Sequence, residues 1–253
     1  MPRRPSKRTP SPAQLLRWVL GGLLVSGLLV GSVGVAVWLQ VPGNVPLERV
    51  RIEGDVRHTR EQQLKLALAT ALHGSFFSID LEAVRSGVEA LPWISHAGVR
   101  RVWPPALVLT VSERSALARW GEKGLVSPEG EVFFPQADSV PGGLPSLSGP
   151  EGSAPEMVRR YQEMRALLER EGLTILSLSM SERHALSLHL QGGLRLLLGN
   201  QDPEVRLQRF LDHWPELKNN GIAEQLDLRY AHGFSVRWSG QVAGSGGNSG
   251  AEG

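Results

Sequence analysis

Between Trp18 and Leu39 the chain carries no charged side chain, and the polar side chains in the run are Ser26 and Ser32. A stretch of that kind decides the physical setting of everything around it. An α-helix rises about 1.5 Å per residue, so about 20 apolar residues cross the ~30 Å hydrocarbon core of a bilayer. Trp18 and Trp38 bracket the run, at a spacing that seats one indole at each headgroup interface. Arg3, Arg4, Lys7, Arg8 and Arg17 all precede it, and the first charges beyond it are Glu48 and Arg49. Loops rich in Lys and Arg stay on the cytoplasmic side. The reading is therefore a basic cytoplasmic tail (1–17), a transmembrane helix (18–39) and an exported remainder. A cleaved signal peptide competes, because Gly34-Val35-Ala36 offers small residues to a peptidase. A signal core is only about 7 to 15 residues long, whereas this run continues through Val37, Trp38 and Leu39, so the anchor is preferred. Gly27 and Gly31 have the spacing of a helix-pairing motif, but glycine is common in membrane helices and carries no assignment here.

The sequence pI near 9.3 would suggest a nucleic-acid binder if the charge were spread over the chain. It is not. Five of the 27 basic residues precede residue 40 and none of the 25 acidic ones does, leaving 22 basic against 25 acidic residues beyond it. A slightly acidic body is a poor ligand for phosphate backbones, and no nucleic acid is expected as a partner. The chain has no cysteine, which removes disulfides, thiolate metal sites and cysteine nucleophiles together.

After a short Pro/Gly linker at 41–46, Val50 and Ile52 alternate with Arg49, Arg51 and Glu53, as in a half-buried strand ended by Gly54. Thr59 is placed to cap a helix with Leu64, Leu68, Ala71 and Leu72 on one face, stopped by Gly74. A second helix opens at Asp80, with Leu81, Val84, Val88 and Leu91 in one stripe up to Pro92. Strands follow at 98–103 and 106–113. The order β-α-α-β-β buries two amphipathic helices on one face of a small sheet, which is a sufficient core for about 70 residues.

Further strands are expected at 116–120, 125–127 and 131–134, then a Pro/Gly/Ser-rich loop over 135–152. Ser153 to Glu156 has the spacing of a capping box that opens a helix with Met157, Tyr161, Met164 and Leu168 on one face. Strands at 174–179, 185–190 and 194–198 come next, the last two joined at Gln191-Gly192-Gly193. Asp202-Pro203 starts a helix with Leu207, Phe210, Leu211 and Trp214 inward, stopped at Gly221. The final alternations are Leu226, Leu228, Tyr230 and then Phe234, Val236, Trp238. From residue 239 to 253 the composition is that of a disordered tail.

Two resemblances attach to these residues. Arg101-Val102-Trp103-Pro104 leading into Leu107-Val108-Leu109-Thr110-Val111-Ser112-Glu113-Arg114, within the β-α-α-β-β order, resembles a POTRA domain. Leu144-Pro145-Ser146-Leu147-Ser148-Gly149-Pro150-Glu151-Gly152-Ser153, the segment Gly193-Leu194-Arg195-Leu196-Leu197-Leu198-Gly199 and Asp227-Leu228-Arg229-Tyr230 resemble the bacterial FtsQ/DivIB division family. The fold class expected is α+β: one N-terminal transmembrane helix, a POTRA domain at 46–114, and a second mixed domain at 115–238 with a C-terminal edge strand. The resemblance implies a divisome scaffold in the inner membrane at the septum, with a periplasmic C-terminal domain that binds the division proteins FtsB and FtsL and links early and late division proteins. It also implies that the POTRA part meets other divisome proteins.

No G-x-S-x-G elbow, H-E-x-x-H or phosphate-cradling glycine loop occurs. His184 and His189 lie at an odd separation on an expected strand and so point to opposite faces, which prevents a shared metal. Catalysis, cofactors, metals and small-molecule substrates are therefore not expected. Strand Phe234 to Trp238 stands near the end of the chain, and an edge strand invites a partner strand. On residues alone, Arg237 reads equally as a guard against aggregation. The family resemblance makes Tyr230 and Trp238 aromatic anchors and Arg183 and Arg229 partners for carboxylates, beside Phe234, Val236 and Arg237 on the strand. Two other functions compete: an envelope secretion or assembly factor, which lacks here the series of strands for a β-barrel, and an exported envelope hydrolase.

Overall fold

A computed structural model of the chain describes residues 12–41, 45–219, 221–230 and 233–239. The expected tails at 1–17 and 239–253 lie mostly outside them. Helix α1 (Pro12–Gln40) starts six residues before the apolar run, and its stretch Leu20–Trp38 has a mean hydropathy of 2.1 with none of it buried inside the protein. Such an exposed apolar surface is stable only against lipid or another apolar partner. The chain divides into two compact units, Met1–Ser112 and Glu113–Gly253.

In the first unit, β1 (Arg49–Glu53), α2 (Glu61–Ala71), α3 (Leu81–Glu89), β2 (Ile94–Val102) and β3 (Ala106–Glu113) follow in the expected order. The sheet order is β1-β3-β2, with β1 parallel to β3 and Arg49 opposite Ala106. Leu64, Leu68, Val84 and Val88 of the helices pack on Ile94, Leu107, Leu109 and Val111 of the sheet. Asp80 caps α3 by accepting from the amides of Glu82 (2.9 Å) and Ala83 (3.2 Å). Helix α2 is entered differently from expectation: its N-cap is Arg60, not Thr59, and the Gln63 side chain accepts from the Arg60 amide at 3.2 Å. Strand β2 begins four residues before Gly98 because Ile94 and Ala97 are themselves core residues. Arg101 fastens the 76–79 loop to β2 by donating to the carbonyls of Phe76 (2.8 Å), Phe77 (3.3 Å) and Ile79 (2.5 Å).

The second unit is a nine-stranded sheet with two helices. Its strands are β4 (Ala118–Trp120), β5 (Gly124–Val126), β6 (Val132–Phe133), β7 (Ser146–Ser148), β8 (Ile175–Met180), β9 (Leu186–Leu190), β10 (Arg195–Gly199), β11 (Ala223–Asp227) and β12 (Ser235–Trp238). Helices α4 (Ala154–Leu168) and α5 (Pro203–Leu217) complete it. The sheet runs β12-β11-β10-β9-β8-β7-β4-β5-β6. Met157, Tyr161, Met164 and Leu168 of α4 and Leu207, Phe210 and Leu211 of α5 are buried with Leu147, Leu178, Leu188, Leu196 and Leu226. Gly192 and Gly193, both at φ 92°, form the turn between β9 and β10, a conformation that side chains resist.

Four local expectations are corrected. The segment 135–152 is not all loop, since β7 lies within it and pairs parallel with both β4 and β8. The capping box at Ser153 does not form, because the Ser153 hydroxyl donates to the Pro150 carbonyl at 2.6 Å. His184 is not on a strand: at φ 55° it belongs to the turn that precedes β9. Strand β11 starts earlier and stops at Asp227, so Leu228 and Tyr230 fall in the following loop.

Candidate partner-binding edge

Strand β12 pairs antiparallel with β11, placing Arg237 opposite Gln225, Val236 opposite Leu226 and Ser235 opposite Asp227. On its other side no strand pairs with it among the described residues. Side chains alternate along it: Ser235 and Arg237 are exposed, while Val236 and Trp238 are half-buried and, with Phe234, pack on the hydrophobic core. The indole of Trp238 lies against the backbone at Gly221. These three hydrophobic residues therefore present only part of their surface. Arg237 stands out to solvent with no hydrogen bond or ion pair among the described residues.

One end of the sheet gathers the other expected residues. Strand β9 begins there, β10 and β11 end there and β12 begins there, as the pairings Gly199 with Leu186 and Leu197 with Asp227 require. Arg183, exposed in the turn before β9, accepts on its carbonyl from the Asn200 side chain at 3.3 Å, which joins the two loops. Tyr230 is 58% exposed. Its carbonyl accepts from Arg209 Nη1 of α5 at 3.0 Å, and the same nitrogen reaches the Gly233 carbonyl at 3.5 Å. Phe234 meets the ring of His213 edge-on at 5.5 Å. Helix α5 thus holds both ends of the loop between β11 and β12.

Arg229 is engaged within the chain. Its Nε and Nη2 donate to Asp227 Oδ1 (2.9 Å) and Oδ2 (2.6 Å), and its backbone amide donates to Oδ1 (3.1 Å). The amide bond closes an Asx turn that ends β11. Those hydrogen bonds hold the Asp227 carboxyl below its usual range despite its burial, with Arg206 adding to the effect. The Arg229 stem passes over Gly199, where a side-chain carbon would come within 3.2 Å of Arg229 Cγ. The sequence reading missed Asp227, Asn200, Gly199 and Arg209. An acid two residues before Arg229 was the visible signal, because Asp readily closes such a turn.

Among the described residues no cluster of three or more His, Cys, Asp or Glu side chains could hold a metal. His189 lies opposite Arg195, and burial, helped by that positive neighbour, pushes its pKa down.

Comparison with known proteins agrees with both halves of this description. Residues 45–114 match the family model of the FtsQ-type POTRA domain. Residues 118–229 match that of the C-terminal domain of cell division protein FtsQ/DivIB. Cell division protein FtsQ of Allochromatium vinosum is 41% identical over 88% of this chain and 90% of its own length. The FtsQ proteins of Burkholderia pseudomallei (37% identical; 84% and 88% covered) and Coxiella burnetii (31%; 93% and 96%) align over similar extents. With its apolar N-terminal helix, its POTRA domain and its large sheet, the chain belongs to the FtsQ/DivIB family of cell division proteins.

Proposed function

We propose that the chain is a non-catalytic scaffold of bacterial division, anchored in the inner membrane by α1 with its N-terminus cytoplasmic and its two units in the periplasm at the septum. There it gathers FtsB and FtsL and links early and late division proteins. The observation that carries this reading is the free edge of β12 beside the exposed Tyr230. A partner strand laid along that edge gains main-chain hydrogen bonds, and its alternate side chains meet Arg237 and the exposed margins of Val236 and Trp238.

The Ser239 amide donates inward to the Ile222 carbonyl at 2.9 Å. Strand alternation then turns the backbone groups of Val236 and Trp238 outward. A four-residue edge offers only a few such bonds, each worth roughly 1 kcal/mol net. Confinement of both partners to one membrane raises their effective concentration, so that modest contacts suffice. Arg229, with two of its nitrogens on Asp227, shapes the loop and leaves Nη1 for a partner carboxylate, while Arg183 offers its whole guanidinium. The POTRA unit is assigned to other divisome proteins.

The test is capture of soluble FtsB and FtsL ectodomains by the purified chain, by Tyr230→Ala, and by a chain truncated before Trp238. Loss of capture in both altered proteins, with native circular dichroism, supports the edge. Full capture by both removes it.

A further inference from the structure

We propose that the open face of the three-stranded sheet in the first unit is a seat for anionic phospholipid headgroups of the membrane that holds α1. This inference rests on the reading of α1 as an anchor. Val50 packs on the helix-side core, so Arg49 and Arg51, its neighbours on β1, project from the opposite face. Their partners on β3 are Ala106 and Val108, which alternate with the core residues Leu107 and Leu109. Val108 is only 2% exposed although it faces away from the helices. Arg49, Arg51 and Arg100 line the space beside it.

The result is a cleft of about 500 Å³ with an apolar floor at Ala106 and Val108, arginines 49, 51 and 100 on its walls, and Trp103 at one end. Its cations are poorly neutralised. The nearest acidic oxygens to Arg49 and Arg100 stand at 3.9 Å, on Glu48 and Glu53, and both arginine side chains are mostly exposed. Arg51 makes no hydrogen bond or ion pair among the described residues. Trp103 is 75% exposed, an amphipathic ring of the kind that settles at headgroup level. Guanidinium groups match phosphate oxygens in geometry as well as charge. The chain also limits how far this face can stand from the bilayer. Nine peptide steps separate Gln40, the last residue of α1, from Arg49, which spans at most about 30 Å. Negative charge, an apolar margin and nearness to the anchor all point to lipid, and few free solutes share them.

The full chain in nanodiscs of phosphatidylcholine, with or without a one-third share of phosphatidylglycerol, tests this by amide hydrogen exchange of peptides covering 49–53 and 100–108. Slower exchange in the anionic discs is expected, with apparent lipid affinity falling about five-fold for each arginine removed. The double variant Arg51→Gln, Arg100→Gln should lose the protection, as should high salt. Equal exchange in both discs overturns the proposal. So does undiminished protection in the double variant, or full protection from inorganic phosphate alone in neutral discs. Escape of the chain from both kinds of disc overturns the anchor reading itself.

Discussion

Replacing Asp227 by alanine removes the acceptor that ends β11 and orders the loop beside the edge strand. Three hydrogen bonds go with it, two from the Arg229 side chain and one from its amide. The carboxylate side chain is 12% exposed, but the Arg229 side chain is 59% exposed. The ion pair is therefore screened by water and adds little to stability. The amide bond to a charged acceptor is worth about 1 to 1.5 kcal/mol. Asp227→Ala should then destabilise the second unit by about 1 to 1.5 kcal/mol near neutral pH. The dependence on pH follows from the lowered pKa of Asp227, whose first cause is the Arg229 side-chain hydrogen bond. A carboxylate depressed in the folded state gives its full stability above its unfolded pKa of about 3.9, and loses it as pH falls through the lower folded value. Urea melts of wild type and Asp227→Ala across a pH series measure this directly. The gap between them should be constant from neutral pH down to about 5 and narrow below about 4. A gap that stays constant into strong acid, or no gap at neutral pH, refutes the reasoning.

Three further outcomes follow from packing. Leu147, fully buried on the short β7 between β4 and β8, should cost about 3 to 5 kcal/mol when cut to alanine, read as a shift in chemical denaturation of the second unit. Gly199→Ala places a methyl 2.7 Å from Arg206 Nη1 and 3.2 Å from Arg229 Cγ, at a φ of +75°. It should cost about 1 kcal/mol or more and displace Arg229, seen as shifted amide resonances at 227–230. Arg101→Ala leaves three loop carbonyls without their donor. Exchange of the amides at 76–79 should accelerate by an order of magnitude or more, at a cost of about 1 to 2 kcal/mol.

Much of this architecture was legible in the residues. Helix α3 announced itself through Asp80 and the stripe at Val84 and Val88, and α4 through Met157, Tyr161, Met164 and Leu168, because burial on one helical face imposes that spacing. Strand β7 was not legible. It has one apolar residue, Leu147, between two serines in a Pro/Gly/Ser-rich stretch, and its identity comes from the two strands it pairs with. The end of β11 was misread for the opposite reason: the apolar alternation continues through Leu228 to Tyr230, but the Asp227 carboxylate folds the chain back onto the Arg229 amide. Such competition between a side chain and the sheet ladder leaves only a weak trace in sequence. At the candidate edge the strand and its aromatic neighbours were readable. That Arg229 would be held by Asp227, and that Phe234, Val236 and Trp238 would lean on the core, depended on tertiary packing.

Proline scanning of β12 tests the binding edge most directly. Proline is tolerated on an edge strand where its missing amide would face solvent, and costly where that amide serves the ladder. Val236→Pro should keep the circular dichroism and urea midpoint of the second unit close to wild type, while capture of FtsB and FtsL ectodomains is lost. Arg237→Pro, whose amide points toward β11 by the same alternation, should instead destabilise the unit. Wild-type capture by a natively folded Val236→Pro chain would contradict strand addition at β12.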